Sequence, residues 1–236
     1  MNPMSAGKLL LLGDICGMGP STRLLDLASG KGELLCQLAQ RHGVTGLGID
    51  VHPPFVAAAR ERATELEVGD QVSWLEGDAG RPEGVTGSYD VVSCIGATWI
   101  AGGLAGTLRL MRSFVRDDGW LVVGEPYWTE QPSAETRAAF EVGQDFVDLP
   151  ATLQRFEAEG HDLVEMLLAN SDEWDRYTTS QWLNVTRWLD SHPDAPEAAE
   201  VRASRDASRR AYLTDVRRSL GWGVFVLRPG RPATPG

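Results

Sequence analysis

Lysine is almost missing from this 236-residue sequence: of its 22 cationic side chains only Lys8 and Lys31 are lysine, and no basic run interrupts a formal charge of -11. A chain so charged repels phosphate backbones and anionic lipid surfaces, so neither nucleic acid nor a membrane is expected as a partner. Cysteine is scarce and odd in number. Cys16, Cys36 and Cys94 are too scattered for a disulfide framework or a metal cage, which points to a reducing, cytoplasmic setting. Long apolar runs are also lacking. Leu9 to Leu12 is only four residues, far short of a signal-peptide core or of the roughly 18 to 20 that a membrane span requires. His42, His52, His161 and His192 stand apart, without metal-ligand spacing, so no metal is expected.

What is present suits one globular domain with an elaboration. Hydrophobic residues make up 42% and charged residues 23%, enough to bury a sizeable core. From about residue 22, short β-branched or leucine-rich runs alternate with amphipathic stretches, the pattern of βα units around a parallel sheet. Strands are expected at 22–28, 44–50, 71–75, 90–95 and 120–124, and helices from Glu33 to His42, from Pro53 to about Glu67 and near 103–115. Two further strands, 163–168 and 222–227, flank a helical insertion at about 172–220, which Asp190 to Pro196 divides in two. The expected fold is α/β and doubly wound: a mostly parallel seven-stranded sheet with an antiparallel last strand and a helical insertion between the last two strands. Residues 1–20 form a lid-like segment, 21–230 the main domain, and 231–236 a disordered tail.

The chemistry is expected at the first strand-to-helix turn, Asp26-Leu-Ala-Ser-Gly30-Lys-Gly32, whose small residues let backbone approach a ligand at the carboxyl edge of the sheet. Asp50 closes the second strand, where a carboxylate accepts hydrogen bonds from both hydroxyls of a ribose. Nucleoside binding follows from these two features, but not the kind of nucleoside. Two details favour a cationic sulfonium over a nicotinamide dinucleotide. Asp26 would oppose a pyrophosphate, and in Glu76-Gly77-Asp78-Ala79 the Asp78 carboxylate can accept from an adenine amino group.

On these residues the chain resembles the class I S-adenosylmethionine-dependent methyltransferases, well over roughly 20–128 and loosely over the final two strands. The resemblance implies S-adenosyl-L-methionine as cofactor. It places the turn with Asp26, Ala28, Ser29, Gly30 and Gly32 beside the methionine part, Asp50 and Val51 at the ribose, and Gly77, Asp78 and Ala79 at the adenine. Backbone at Cys94 and Ile95 would meet the amino group. Ala28 departs from the pattern, standing where the family usually has its first glycine. Cys94 to Trp99, Gly124 to Trp128, Trp174 to Tyr177 and Gly221 to Phe225 look like a group of bacterial methyltransferases with GATW and GEPYW motifs.

Ligands of open parallel sheets sit beyond the carboxyl ends of the strands, so Trp99, Glu125, Tyr127 and Trp128 are expected beside a small-molecule acceptor. Tyr177 joins them from the insertion, where Trp174, Trp182 and Trp188 add an aromatic roof. Glu125 is the candidate general base and Tyr127 the candidate orienting hydroxyl. Methyl transfer from an activated donor rests mainly on holding the reactants in line, so a strong base is not obligatory. The competing functions are a protein that binds S-adenosylmethionine without turnover and a nicotinamide-dependent oxidoreductase on the same sheet. A monomer or homodimer is expected.

Overall fold

The computed structural model describes residues 2–140 and 145–230; the tail expected at 231–236 lies outside the described residues. After helix α1 (Ala6–Ile15), the chain enters a seven-stranded sheet at its middle and builds it outward in two halves. The first half is β1 (Arg23–Leu27), α2 (Glu33–His42), β2 (Thr45–Asp50), α3 (Pro53–Glu65) and β3 (Val72–Glu76). The chain then crosses back through β4 (Tyr89–Ile95), α4 (Leu104–Phe114) and β5 (Val115–Trp128). Helices α5 (Ala134–Phe140) and α6 (Leu149–Ala158) lead to β6 (His161–Leu168). From there α7 (Ser171–Ser191), α8 (Ala198–Ala211) and a π-helical turn at Tyr212–Val216 lead to β7 (Leu220–Pro229).

The strand order is β3-β2-β1-β4-β5-β7-β6. Strands β1 to β5 pair in parallel, whereas β7 runs antiparallel to both β5 and β6. This is the doubly wound sheet with a reversed last strand and inserted helices that the sequence pattern implies. Its interior strands are apolar on both faces because helices cover both. Leu24, Leu35, Leu38, Val122 and Val224 pack on the face of α1 and α2, and Leu25, Leu27, Val92, Leu108 and Phe156 on the face of α4 and α6.

Helix ends follow local chemistry. Gly43 ends α2 in the left-handed region that a glycine adopts at little cost. A reciprocal capping box opens α7: the Asn170 side chain accepts from the Glu173 amide and the Glu173 carboxylate accepts from the Asn170 amide, each at 2.9 Å.

The largest difference from expectation is β5. It was expected to end at Gly124, yet it continues to Trp128 because β7 pairs with it as far as Trp128↔Leu220. Glu125, Tyr127 and Trp128 therefore belong to a strand and alternate between its faces, rather than standing together in a loop beyond it. Helices α5 and α6 have no counterpart in the expected elements. In the N-terminal segment, α1 buries Leu9 and Leu12 in the core, and only Asn2 and Pro3 reach the cavity described below. No helix among the described residues is long and apolar enough to cross a membrane.

Candidate active site

The strand order reverses between β1 and β4, and the crevice outside the carboxyl ends of these strands is where open α/β sheets bind ligands. Leaving β1, the chain turns through Ala28, Gly30 and Gly32 at φ of 55°, 56° and 74°. The Ser29 amide donates to the Ile49 carbonyl at 2.8 Å, and the Gly30 amide donates to Oδ2 of Asp50 at 2.8 Å. The other Asp50 oxygen accepts from the His52 amide at 2.9 Å, so the carboxylate that ends β2 is held in one orientation. A Cβ at Gly32 would lie 2.4 Å from the ring of Trp74 and one at Gly48 2.3 Å from it. Both glycines let this indole wedge between the start of α2 and the sheet.

Beyond these strand ends opens a cavity of about 730 Å³. Ala28, Asp50, Val51, Asp78, Ala79 and Ile95 line it, together with His52 and Phe55, which the sequence reading had not assigned to the site. Its other half is aromatic. Trp99, Trp174, Tyr177, Trp222, Phe140 and Phe146 line it. Phe140 and Phe146 come from the stretch between β5 and β6, for which no element was expected; Asp148 before Leu149-Pro150, the N-cap of α6, is a signal that could have found it. Asn2 and Pro3 complete the wall beside Tyr177. Their segment is tied to α7: the Ser5 amide donates to Glu173 at 3.2 Å, and Lys8 donates to Glu173 at 2.5 Å and to the Leu168 carbonyl at 2.7 Å.

The remaining expected site residues stand outside the cavity lining. Ser29, Gly30 and Gly32 form the turn after β1, and the Gly77 amide donates to the Asp50 carbonyl at 3.0 Å. Asp26 is 3% exposed on β1 and accepts from the Ser93 hydroxyl at 2.6 Å. Burial pushes its carboxyl up to about 7, opposed by the Ser93 hydrogen bond and reinforced by the Asp50 charge. Cys94 is fully buried among apolar side chains, and this burial raises its thiol, with the Asp26 and Glu125 charges adding to the effect. That environment suits an inert packing residue rather than a nucleophile.

Tyr127 is a correction: its ring fills the space that Gly221 leaves on β7, where a Cβ would lie 2.4 Å from it, and it packs into the core on the α4 side. Trp128, likewise off the lining, packs edge-on against Phe146 at 5.9 Å and Phe140 at 6.2 Å between ring centres. It backs the two phenylalanines that the cavity does meet.

Glu125 stands one layer behind the wall. It is 6% exposed and accepts from the hydroxyl of Thr98, a cavity-lining residue that the site reading had missed although it lies within the quoted Cys94 to Trp99 motif. Burial raises the Glu125 carboxyl to about 7, against the Thr98 hydrogen bond and a weaker pull from Arg155.

The donor set fits a sulfonium nucleoside. A fixed carboxylate ends β2, and a second, Asp78, follows β3. Gly96 presents bare backbone where a side chain would meet no other protein atom within 4 Å. Among the described residues the lining holds no lysine or arginine, so a pyrophosphate would find no cationic counter-charge there.

A methyltransferase domain family model matches residues 24–119. A crystal structure of an S-adenosylmethionine-dependent methyltransferase from Geobacter sulfurreducens, in complex with S-adenosyl-L-homocysteine, is 43% identical. It covers 97% of this chain and 92% of that one, with a TM-score of 0.90. The chain belongs to the S-adenosylmethionine-dependent methyltransferases. A second methyltransferase of this kind, from Thiobacillus denitrificans and also solved with S-adenosyl-L-homocysteine, is 42% identical over 97% of this chain and 93% of that one, with a TM-score of 0.89. Uncharacterized protein YjhP of Escherichia coli K12 is 43% identical over 96% of this methyltransferase and 92% of its own length. The cofactor of this methyltransferase is S-adenosyl-L-methionine, and the nicotinamide alternative falls away.

Proposed function

We propose that this methyltransferase acts on a small-molecule acceptor held in the aromatic half of the cavity, in line with the donor held at the ends of β1, β2 and β4. One observation carries the reading: a single cavity of about 730 Å³ joins the nucleoside-type residues Asp50, Asp78 and Ala79 to Trp99, Trp174, Tyr177 and Trp222. That volume lies within the range of small-molecule sites. Asp50 is the candidate partner of the ribose hydroxyls and Asp78 of the adenine amino group, while the turn from Asp26 to Gly32 adjoins the amino-acid end.

When bound, S-adenosylmethionine supplies a methyl group on a positively charged sulfur, which keeps the electron pair of the broken C–S bond and leaves as a neutral thioether. The acceptor's lone pair forms the new bond to that carbon. Its proton passes to Glu125 through the Thr98 hydroxyl, since Thr98 meets the cavity and Glu125 meets Thr98. A carboxyl raised to about 7 is matched to taking a proton near neutral pH. The aromatic walls exclude water and hold the acceptor in line, which supplies much of the acceleration.

The test is transfer of a labelled methyl group from S-adenosylmethionine to a panel of small acceptors. Formation of S-adenosyl-L-homocysteine matched by a labelled small product is the expected result. Labelling confined to protein or nucleic acid added to the same mixture would overturn the reading.

A further inference from the structure

Resting on the reading above, we infer that the acceptor is an uncharged, ring-bearing molecule, and that carboxylates, phosphates and ammonium ions are rejected. The first ground is charge. Among the described residues that line the cavity, only Asp50 and Asp78 carry formal charge at neutral pH with histidine neutral, and Glu125 lies one layer behind. Arg176, next to Tyr177 in sequence, lines an adjoining cleft that shares Asn2, Pro3 and Tyr177 with the cavity, and is not itself in the cavity lining. A carboxylate or phosphate entering the aromatic half would shed its water with no cation in the lining to replace it, in a chain whose formal charge is -11. An ammonium ion has no lone pair to offer the methyl carbon and would face a sulfonium of its own sign.

The second ground is the aromatic lining. Trp174 and Tyr177 lie stacked on each other, 5.7 Å between ring centres and 4° between planes, and both line the cavity. Trp99, 52% exposed, stands at its mouth. An aromatic lining favours ring-bearing guests, through offset-stacked or edge-to-face packing. Phenols, aryl ketones and other neutral ring compounds meet both conditions.

Calorimetry on the protein saturated with S-adenosyl-L-homocysteine tests this with matched probes, para-hydroxyacetophenone against para-hydroxybenzoate at neutral pH. The expected result is that the neutral probe binds at least about tenfold more tightly, because the carboxylate is desolvated without compensation. Trp99→Lys, at an exposed position and so tolerated by the fold, places a cation at the mouth and narrows or inverts the preference.

Equal or tighter binding of the benzoate, or no binding of either probe while S-adenosyl-L-homocysteine still binds, overturns the inference. A preference that Trp99→Lys leaves unmoved removes its electrostatic basis. Failure of S-adenosyl-L-homocysteine itself to bind overturns the underlying functional reading, and this inference with it.

Discussion

Two residues of the candidate site sit in environments their chemistry resists. Ala28 adopts φ of 55°, in the left-handed region where an L side chain crowds the following carbonyl. Replacing it by glycine removes that crowding, although the unfolded chain gains some freedom in return. Ala28→Gly is therefore expected to stabilise the protein by about 1 kcal/mol, read as a higher denaturation midpoint at unchanged denaturant slope. A lower midpoint would show that the methyl group contributes packing that outweighs the strain.

Glu125 is the second case. Burial raises its carboxyl to about 7, so the native state holds a proton that the unfolded chain releases near its ordinary value of 4.5. Between those two values the native state binds more protons than the unfolded one, and stability falls as pH rises through about 4.5 to 7. Glu125→Gln carries no charge and escapes the fall at this site. The variant is expected to exceed the wild type in stability at pH 8, by an amount of order 1–3 kcal/mol, with the gap closing toward pH 4.5. Its methyl transfer should fall at the same time if Glu125 takes the acceptor's proton. A gap that does not change with pH would mean that Glu125 is not held protonated by its burial.

At the scale of elements, the tie between the N-terminal segment and α7 decides whether Asn2 and Pro3 stay in the cavity wall. Burial alone would raise the Glu173 carboxyl, but the bonds from Lys8, Ser5 and the Asn170 amide outweigh it and hold it at about 2. A depressed carboxyl contributes stability above its unfolded value and loses it only as pH falls toward 2, so the tie is complete across the neutral range. Lys8→Met breaks the link to Glu173 and to the Leu168 carbonyl while leaving the capping box of α7 intact. Affinity for S-adenosyl-L-homocysteine is expected to drop severalfold with helix content by circular dichroism unchanged. Equal affinity would mean that the segment is not part of the binding wall.

The same scale explains what the sequence made legible. The first four strands and α2 to α4 could be read because each carries its own signal: leucine or β-branched runs, Pro53 and Pro54 at a helix start, glycine at a helix end. The far end of β5 carried a misleading signal, since Pro126 has no amide to donate and reads as a strand stop. Pairing with β7, about a hundred residues later, extends the strand past it. That extension sends Tyr127 to the core and leaves Glu125 behind Thr98, so the acceptor side was legible in composition and not in geometry. The nucleoside side was legible because a βα turn places its residues by local chain direction alone.

At the scale of the whole molecule, the insertion of α7 and α8 does not make a second folding unit. Strand β7, which follows it, lies between β5 and β6 rather than at the sheet's edge, so the sheet cannot close until the insertion has been traversed. Trp174 of α7 packs against both the core on the α1 and α2 side and the smaller cluster around Trp128, Tyr212 and Leu220. Heat should therefore unfold the chain in one cooperative step, seen as coincident transitions by far-ultraviolet circular dichroism and tryptophan fluorescence. Because the cavity is walled by α7 as well as by strand ends on the other side, a ligand bound there holds both together. S-adenosyl-L-homocysteine at a hundred times its Kd adds about 2.7 kcal/mol to the native state. For a chain of this size that shifts the single transition upward by about 5 to 10 °C. A fluorescence transition that precedes the loss of secondary structure and does not move with ligand would show that the helical insertion melts alone, and that the aromatic half of the cavity is not coupled to the nucleoside half.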